Sequence, residues 1–163
     1  MATTNPQDAD LENTLYMELD TGRVTIKLLP DVAPKHVARV KELVRDGFYD
    51  GLTFHRVIAG FMAQTGCPQG TGTGGTGSKL AAEFSRVPFE RGTVGAARTA
   101  DPNSADSQFF ICFGPASHLN GQYTVWGQVS SGMKHIDKLN VGEPPRQPSQ
   151  IRSIRVAADA QAK

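Results

Sequence analysis

The residue types best suited to chemistry lie in one short segment, FHRVIAGFMAQ, at residues 54–64. If a strand begins at Thr53 and alternates, Phe54, Arg56 and Ile58 share one of its faces. A guanidinium between two apolar neighbours is unusual for a solvated face, so Arg56 is a candidate for chemistry. An arginine in a structural ion pair is the ordinary alternative, and this segment alone leaves it open.

Two later segments supply groups that suit the same site, SQFFI at residues 107–111 and LNGQY at residues 119–123. Together the three segments offer an apolar floor, one permanent cation and two amide side chains that can form hydrogen bonds. In chain order these residues are Arg56, Phe61, Met62, Gln64, Gln108, Phe110 and Leu119. The combination favours a functional role for the arginine over a purely structural one.

Other reaction chemistries find no support in the motifs. The four histidines lack the spacing of a zinc site, and no Gly-x-Ser-x-Gly elbow is present. Gly70, Gly72 and Gly75 fit Gly-x-Gly-x-x-Gly, but the residues that follow have no helical period, which a dinucleotide site requires. We expect a flexible or tightly folded surface loop there, no metal and no cofactor. A nucleotide- or small-ligand-binding barrel that uses this loop is the alternative from another class.

Short β segments with turns between them must position these groups. Alternating apolar residues around Asp20-Thr21-Gly22 predict a β-hairpin. Pro34, the apolar spacing that follows it and Gly47 predict one helix of about three turns, and a shorter helical pattern begins at Met133. Further candidate strands are residues 53–58, 61–65, 94–97, 108–113, 124–129 and 150–157. About eight strands and two helices predict a barrel or a sandwich rather than a doubly wound sheet.

Length and composition indicate one ordinary globular domain. The chain has 163 residues, 39% of them hydrophobic and 20% charged, and its formal net charge is +1. This balance offers no electrostatic footprint for nucleic acid, and no stretch approaches the roughly 18 apolar residues of a membrane helix. Cys67 and Cys112 read as unpaired thiols, and the chain start as written carries no secretory signal. We expect a cytoplasmic monomer that binds neither nucleic acid nor membrane.

The motifs resemble a known family. FHRVI with GFM and Gln64 is similar to the signature of the cyclophilin peptidyl-prolyl isomerases, and SQFFI and LNG match later motifs of that family in the same order. The resemblance extends over residues 15–157. It implies a mainly β fold, a closed eight-stranded antiparallel β-barrel capped by two α-helices. We predict an isomerase domain at residues 14–158, with tails at 1–13 and 159–163.

The resemblance also implies roles for individual residues. It makes Arg56 the catalytic group and forms the proline pocket from four apolar residues, Phe61, Met62, Phe110 and Leu119. Residues along the groove or beside the pocket are His55, Gln64, Gln108 and Tyr123, and the backbone of Arg98 and Thr99 would hold the substrate chain. His118 is counted among the substrate-binding residues as well. Three residues depart from the family pattern: His118 replaces a frequent Trp, Ala96 a frequent Met, and Cys67 a frequent Asp.

The implied activity is rotation about X-Pro peptide bonds without a covalent intermediate, with Arg56 stabilising the twisted amide. Its substrates would be Pro-containing peptides and unfolded or flexible proteins, in a role that assists folding. His118 is expected to weaken cyclosporin binding more than catalysis. A module that binds a Pro-containing partner without turnover is the alternative, since His118 and Ala96 both lie at the rim of the pocket.

Overall fold

A computed structural model describes residues 11–161. The strands are β1 Thr14–Leu19, β2 Gly22–Leu28, β3 Arg56–Ile58, β4 Met62–Thr65, β5 Thr93–Ala96, β6 Phe109–Cys112, β7 Val125–Ser131 and β8 Ile151–Val156. The helices are α1 Pro34–Arg45, α2 Met133–Ile136 and α3 Ala157–Gln161, and a 3₁₀ turn covers Ser117–Leu119. The fold is therefore mainly β, with few helices.

All eight strands belong to one antiparallel sheet in the order β3-β4-β6-β5-β7-β2-β1-β8. The sheet curls into a half-barrel. Its edge strands β3 and β8 do not pair, because the free edge of β3 is taken by Gly142, which exchanges two backbone hydrogen bonds of 2.9 Å with Val57. Short loop contacts bridge the gap instead, such as Phe54 N–H to the Ser149 carbonyl at 2.8 Å. The closed barrel that the resemblance implied is not confirmed.

The hairpin and the first helix form where the sequence predicts them. In β1 and β2 every second side chain is buried, so both strands present one face to the core. Helix α1 begins at Pro34, whose missing N–H is not needed in a first turn. It ends before Gly47, which adopts a φ of +72° that glycine takes without strain. The apolar face of α1 packs on the main core.

Two groups of buried side chains organise the interior. The larger, which we call the main core, fills the space between the curled sheet and α1 and includes Trp126, Tyr49 and Phe109. The smaller, which we call the pocket cluster, lies on the outer side of β4, β5 and β6. Its members are Met62, Phe89, Phe110, Cys112, Ala116, Leu119 and Val125. Consecutive residues of β6 therefore serve opposite sides of the sheet, since Phe109 belongs to the main core and Phe110 to the pocket cluster.

Some sequence expectations need correction. Regular pairing in the predicted strand 53–58 starts only at Arg56, and Phe54 lies fully buried in the main core with Val57 rather than on the face of Arg56. Residues 157–161 form a helix, where a strand end and a tail were expected. Of the predicted tail 1–13, residues 1–10 lie outside the described residues. The described Glu12 contacts Lys41 and Arg45 of α1.

Candidate active site

A row of polar side chains crosses the sheet at the ends of β3, β4 and β6. Arg56 and Gln64 are cross-strand partners in the β3/β4 register, and Gln64 is in turn opposite Phe110 of β6. Arg56 Nη1 donates to Gln64 Oε1 at 3.3 Å, and Gln64 Nε2 donates to Gln108 Oε1 at 2.9 Å. Directly opposed residues on one face touch, which brings Arg56 to Gln64, and Gln108 is the diagonal neighbour of Gln64, within reach of a long side chain.

Gln108 connects this row to the Gly-rich loop. Its Nε2 donates to the carbonyl oxygens of Gly72 at 3.0 Å and Gly74 at 2.9 Å. With its oxygen accepting from Gln64, the amide has a fixed orientation. One continuous set of hydrogen bonds therefore runs from the Gly-rich loop through Gln108 and Gln64 to Arg56.

At its other end the row reaches an acidic residue. Arg56 Nε donates to Glu143 Oε1 at 3.1 Å, and both side chains keep substantial solvent exposure, 43% and 58%. A charged hydrogen bond of this kind orients a guanidinium, although its net stabilisation at the surface is small. Two acceptors on different elements thus hold two of the three guanidinium nitrogens.

An apolar pocket of about 110 Å³ lies against Arg56. Phe61, Met62, Phe110 and Leu119, the four residues expected there, all line it, together with Gln64, Ala97, Arg98 and Tyr123. Met62, Phe110 and Leu119 are buried members of the pocket cluster, so the sheet supports the pocket from behind. The cavity is small, with an apolar floor and polar or charged side chains at its edge.

Aromatic contacts fix the pocket's far side. The Phe110 and Tyr123 rings meet edge to face with centroids 5.7 Å apart, and Phe89 stacks behind Phe110 at 5.6 Å. Arg98 lies over the Tyr123 ring, with its guanidinium carbon 4.5 Å from the centroid. Arg98 also donates to the Gln122 carbonyl at 2.6 Å, so its charge serves to brace this side.

Thr99 lies beyond the pocket rather than in it. Its N–H donates to Ser104 Oγ at 2.9 Å, and its carbonyl accepts from Arg98 Nη1 at 2.8 Å. Thr99 lines a broader cleft of about 540 Å³ next to the pocket, which also contains Gln64, Arg98 and Gln108. The small pocket and this cleft share Gln64, Ala97 and Arg98, so together they form one continuous groove.

The two histidines expected in this region occupy different positions. His118 is exposed on the 3₁₀ turn, and its ring lies 5.5 Å from that of Phe61. His55 is 6% exposed, and neither of its ring nitrogens has a hydrogen-bond partner among the described residues. Burial, and secondly the charge of Arg56, lower the pKa of His55. His55 therefore supports the groove wall as a neutral imidazole.

The Gly-rich loop is tightly folded and leads into no helix. Asp106 accepts from the backbone N–H of Thr76 and of Gly77, each at 2.9 Å. The chain then passes through irregular backbone to a single bridge between Leu80 and Ala105. A dinucleotide site needs helix N–H groups at this point, so the nucleotide-binding alternative has no structural support.

Cys67 has a defined role at the start of this loop. Its Sγ accepts hydrogen bonds from the backbone N–H of Gly72 and of Gly74, both at 3.2 Å. Burial raises the pKa of this thiol, but these amide donors outweigh burial and lower the pKa to about 7. A carboxylate oxygen could accept the same two donors, which gives a physical reason for Asp as the common alternative.

Sequence reasoning missed two contributors to the site. Phe89 stacks behind the pocket, and its position inside an irregular segment gave no periodic signal. Glu143 lies 87 residues after Arg56 in a Pro-rich loop, where an acidic residue reads as an ordinary solvated side chain. Only the Gly142 bridge to Val57 brings it to the arginine.

Residues 11–161 contain neither a metal-binding cluster nor a membrane-spanning helix. No group of three or more His, Cys, Asp or Glu side chains in that range is placed to hold a metal ion. Every helix in the range is too short or too polar to cross a bilayer. The fold and the groove define a mainly β protein with an open cleft and a small pocket that has an apolar floor and two arginines, Arg56 and Arg98, at its edge.

Known proteins are similar to this chain in sequence and in fold. The family model for the cyclophilin type peptidyl-prolyl cis-trans isomerase matches residues 14–156. A probable peptidyl-prolyl cis-trans isomerase of Brucella suis is 50% identical over 93% of this chain and 86% of its own length. Peptidyl-prolyl cis-trans isomerase B of Bacillus subtilis is 44% identical over 80% of this chain and 92% of its own length.

Solved structures agree. A cyclophilin from Hirschia baltica superposes with a TM-score of 0.86 at 28% identity, covering 99% of this chain and 84% of that one. A cyclophilin type isomerase of Cryptosporidium parvum, crystallised in the presence of the dipeptide Ala-Pro, gives a TM-score of 0.82 at 27% identity over 88% of this chain and 98% of that one. The chain belongs to the cyclophilin-type peptidyl-prolyl cis-trans isomerases and is an isomerase of that class.

Proposed function

We propose that Arg56 is the catalytic group and that it accelerates rotation about X-Pro bonds by stabilising the twisted amide. The observation that carries this proposal is the position of its guanidinium on the edge of a small apolar pocket built by Phe61, Met62 and Phe110. Arg56 is the charged member of the polar row that lines the pocket, so a proline ring in the pocket would place its amide beside a charged donor.

The reaction requires a donor rather than a nucleophile. Rotation about the X-Pro bond faces a barrier of about 18–20 kcal/mol because amide resonance is lost at the twisted midpoint. There the prolyl nitrogen becomes pyramidal and recovers a lone pair that can accept a hydrogen bond. A donor aimed at this nitrogen binds the twisted amide more strongly than the planar one, and only such differential binding raises the rate. The guanidinium is always charged and offers several planar donors.

The magnitude required is modest. A turnover of about 10–10³ per second corresponds to a barrier of about 13–16 kcal/mol, so the site must supply about 3–6 kcal/mol. One oriented charged donor in a water-poor site contributes about 3–4 kcal/mol by analogy with oxyanion holes. Positioning of the ring by Phe110 and Met62 would provide the remainder. No cofactor is needed for this reaction.

Substrates follow from the shape of the groove. The pocket is flanked by the broader cleft of about 540 Å³. Such an open surface would bind the backbone of an extended chain and a proline ring, rather than one particular folded protein. We propose that Pro-containing peptides and unfolded or flexible proteins bind along residues His55, Gln64, Arg98, Thr99, Gln108 and Tyr123. The chain would assist folding as a cytoplasmic monomer. The Ala-Pro dipeptide used with the Cryptosporidium parvum relative is consistent with this ligand class.

His118 is proposed to weaken cyclosporin binding without disabling catalysis. It lies on the exposed rim beside Phe61 and does not line the small pocket. An imidazole in this position is shorter than the indole it replaces. The donor that the family's Trp supplies to cyclosporin would therefore be absent or displaced.

The test compares Arg56→Ala with wild type on a short X-Pro peptide, by NMR exchange between cis and trans resonances. We expect kcat/KM to fall by about 10²–10³, with Tm changed by less than about 2 °C because the side chain is partly exposed. Arg91→Ala removes another exposed, carboxylate-paired arginine and should retain wild-type activity. A wild-type kcat/KM in a folded Arg56→Ala variant would refute the assignment. An inactive wild-type chain that still binds the peptide would favour the non-catalytic module.

A further inference from the structure

We infer that Glu143 is a positioning residue for catalysis, which holds the Arg56 guanidinium in the orientation that meets the prolyl nitrogen. The inference rests on the proposed role of Arg56. Arg56 Nε donates to Glu143 Oε1 at 3.1 Å and Nη1 donates to Gln64 Oε1 at 3.3 Å. Two acceptors on two nitrogens define the guanidinium plane, and among the described residues no hydrogen bond engages Nη2. That nitrogen is the one left for substrate.

The segment that carries Glu143 is fixed to the catalytic strand. Gly142 and Val57 exchange two backbone hydrogen bonds of 2.9 Å, so the residue after Gly142 lies next to the residue before Val57. Gly142 has a φ of +149°, and a Cβ there would lie 2.5 Å from the Pro145 Cα. Any other residue would displace the loop, so glycine is required to bring the carboxylate to Arg56.

The loop is braced on its far side as well. Asn140 Nδ2 donates to the Gln147 carbonyl at 2.6 Å, and Asn140 N–H donates to Ser149 Oγ at 3.2 Å. The Pro145 side chain is buried. Glu143 therefore lies on an ordered turn rather than on a free loop. The residue just before it, Gly142, is hydrogen-bonded to β3, the strand that carries Arg56.

This arrangement distinguishes Glu143 from an ordinary surface ion pair. An exposed pair adds little to stability, so removing Glu143 should leave the fold unchanged. Orientation is a separate matter, because a donor displaced by about 1 Å can cost up to about 10²-fold in rate. Without Glu143 only Gln64 would restrain the guanidinium, and the long side chain could rotate away from the pocket.

The experiment measures kcat and KM separately for X-Pro peptide isomerisation in Glu143→Ala, Glu143→Gln, Arg56→Ala and the double variant Arg56→Ala/Glu143→Ala. We expect Glu143→Ala to lower kcat about tenfold, within the limit set by misplacement, with KM and Tm near wild type. Glu143→Gln keeps an oxygen that can accept from Nε, so it should recover most of the loss. In the Arg56→Ala background the second substitution should change nothing.

Asp137→Ala provides the matched control, since it breaks another exposed arginine–carboxylate pair, with Arg91, and neither residue lines the pocket or the cleft. It should retain wild-type kcat. The ¹⁵N relaxation of the Arg56 Nε–H group should report faster motion in Glu143→Ala, with Arg91 as an unchanged internal reference.

Three results separate the possible failures. If Arg56→Ala loses activity but Glu143→Ala keeps kcat within twofold of wild type, the positioning role is wrong and the proposed function stands. If Glu143→Ala lowers kcat equally with and without Arg56, Glu143 does not act through the arginine and the inference fails. If Arg56→Ala retains full activity, the proposed function itself fails.

Discussion

The two sides of the groove are built on different principles. The pocket floor consists of side chains that strands β4 and β6 bury, and Met62 and Phe110 are both at most 5% exposed. The polar row from Glu143 through Arg56 to Gln108 is half-exposed and is held by hydrogen bonds between different elements. The floor is part of the interior, whereas the row lies on top of it.

This difference predicts how binding, catalysis and stability are distributed. Burial of apolar area stabilises the fold, so under the proposed mechanism a floor residue would contribute both to folding and to binding of the proline ring. Exposed charged groups contribute little to stability but much to the orientation of a donor. Catalysis should therefore be separable from folding in the polar row and inseparable from it in the floor.

The largest effect is expected from Phe110→Ala, which would break the floor. Loss of a buried aromatic ring that packs on Phe89 and Tyr123 costs about 3–5 kcal/mol. Thermal unfolding should show Tm lower by about 10 °C at this chain length, and peptide affinity should fall with it. Phe84→Ala removes a 45% exposed ring and serves as the control, with Tm within about 2 °C of wild type. An unchanged Tm for Phe110→Ala would mean that the floor is not part of the interior.

An intermediate effect is expected from His118→Trp at the rim, which belongs to neither side. The larger indole would stack on Phe61 and restore a donor, so cyclosporin affinity measured by calorimetry should rise about tenfold. Isomerisation of a short X-Pro peptide should change less than twofold, because His118 does not line the small pocket. If cyclosporin affinity is unchanged, His118 is not what limits it.

The smallest effect concerns pH and two buried histidines, His36 in the first turn of α1 and His55 at the groove. Burial lowers the pKa of His36 despite the opposing effect of Glu83, whose carboxylate lies 2.6 Å from Nδ1. The buried Nε2 has no hydrogen-bond partner among the described residues. The pKa of His55 is lowered by burial too. A folded-state pKa below the unfolded value of about 6.5 means that stability is complete above that pH and is lost as pH falls through the folded pKa.

Thermal scans between pH 8 and pH 5 test this expectation. Tm should stay constant down to about pH 6.5 and then fall by a few degrees, with a shallower fall in His36→Gln. His118→Gln alters an exposed histidine and should keep the wild-type slope. A Tm that rises towards pH 5, or equal slopes in all three proteins, would contradict the assignment. Carboxylates with a lowered pKa, such as Asp137 beside Arg91, affect the pH dependence of Tm only at a lower pH than these scans cover.

Elements with a strong local signal could be predicted from the sequence. Helix α1 has a proline start, one apolar face and a glycine stop, and all three signals are local. The β1/β2 hairpin likewise depends on alternation around a short turn. The floor residues Phe61, Met62 and Phe110 were found because motif order and residue type agree.

Other features depend on long-range packing, which a single sequence does not display. Phe54 is two residues before Arg56, so strand alternation would place both on one face. Phe54 instead packs in the main core, because the regular strand begins only at Arg56. Closure of the barrel fails at β3 because Gly142, far along the chain, occupies its edge. Glu143 reaches Arg56 through that same bridge, so it could not be anticipated from spacing.

The central claim is that Arg56 speeds rotation without being needed to hold the proline ring. The most direct measurement is titration of a ¹⁵N-labelled X-Pro peptide into wild type and Arg56→Ala, giving Kd from chemical shifts and the cis/trans exchange rate of the bound peptide. We predict that Kd changes by less than about threefold while bound-state exchange slows by about 10²–10³. Loss of binding in proportion to exchange would make Arg56 a binding residue, and unchanged exchange would contradict the account.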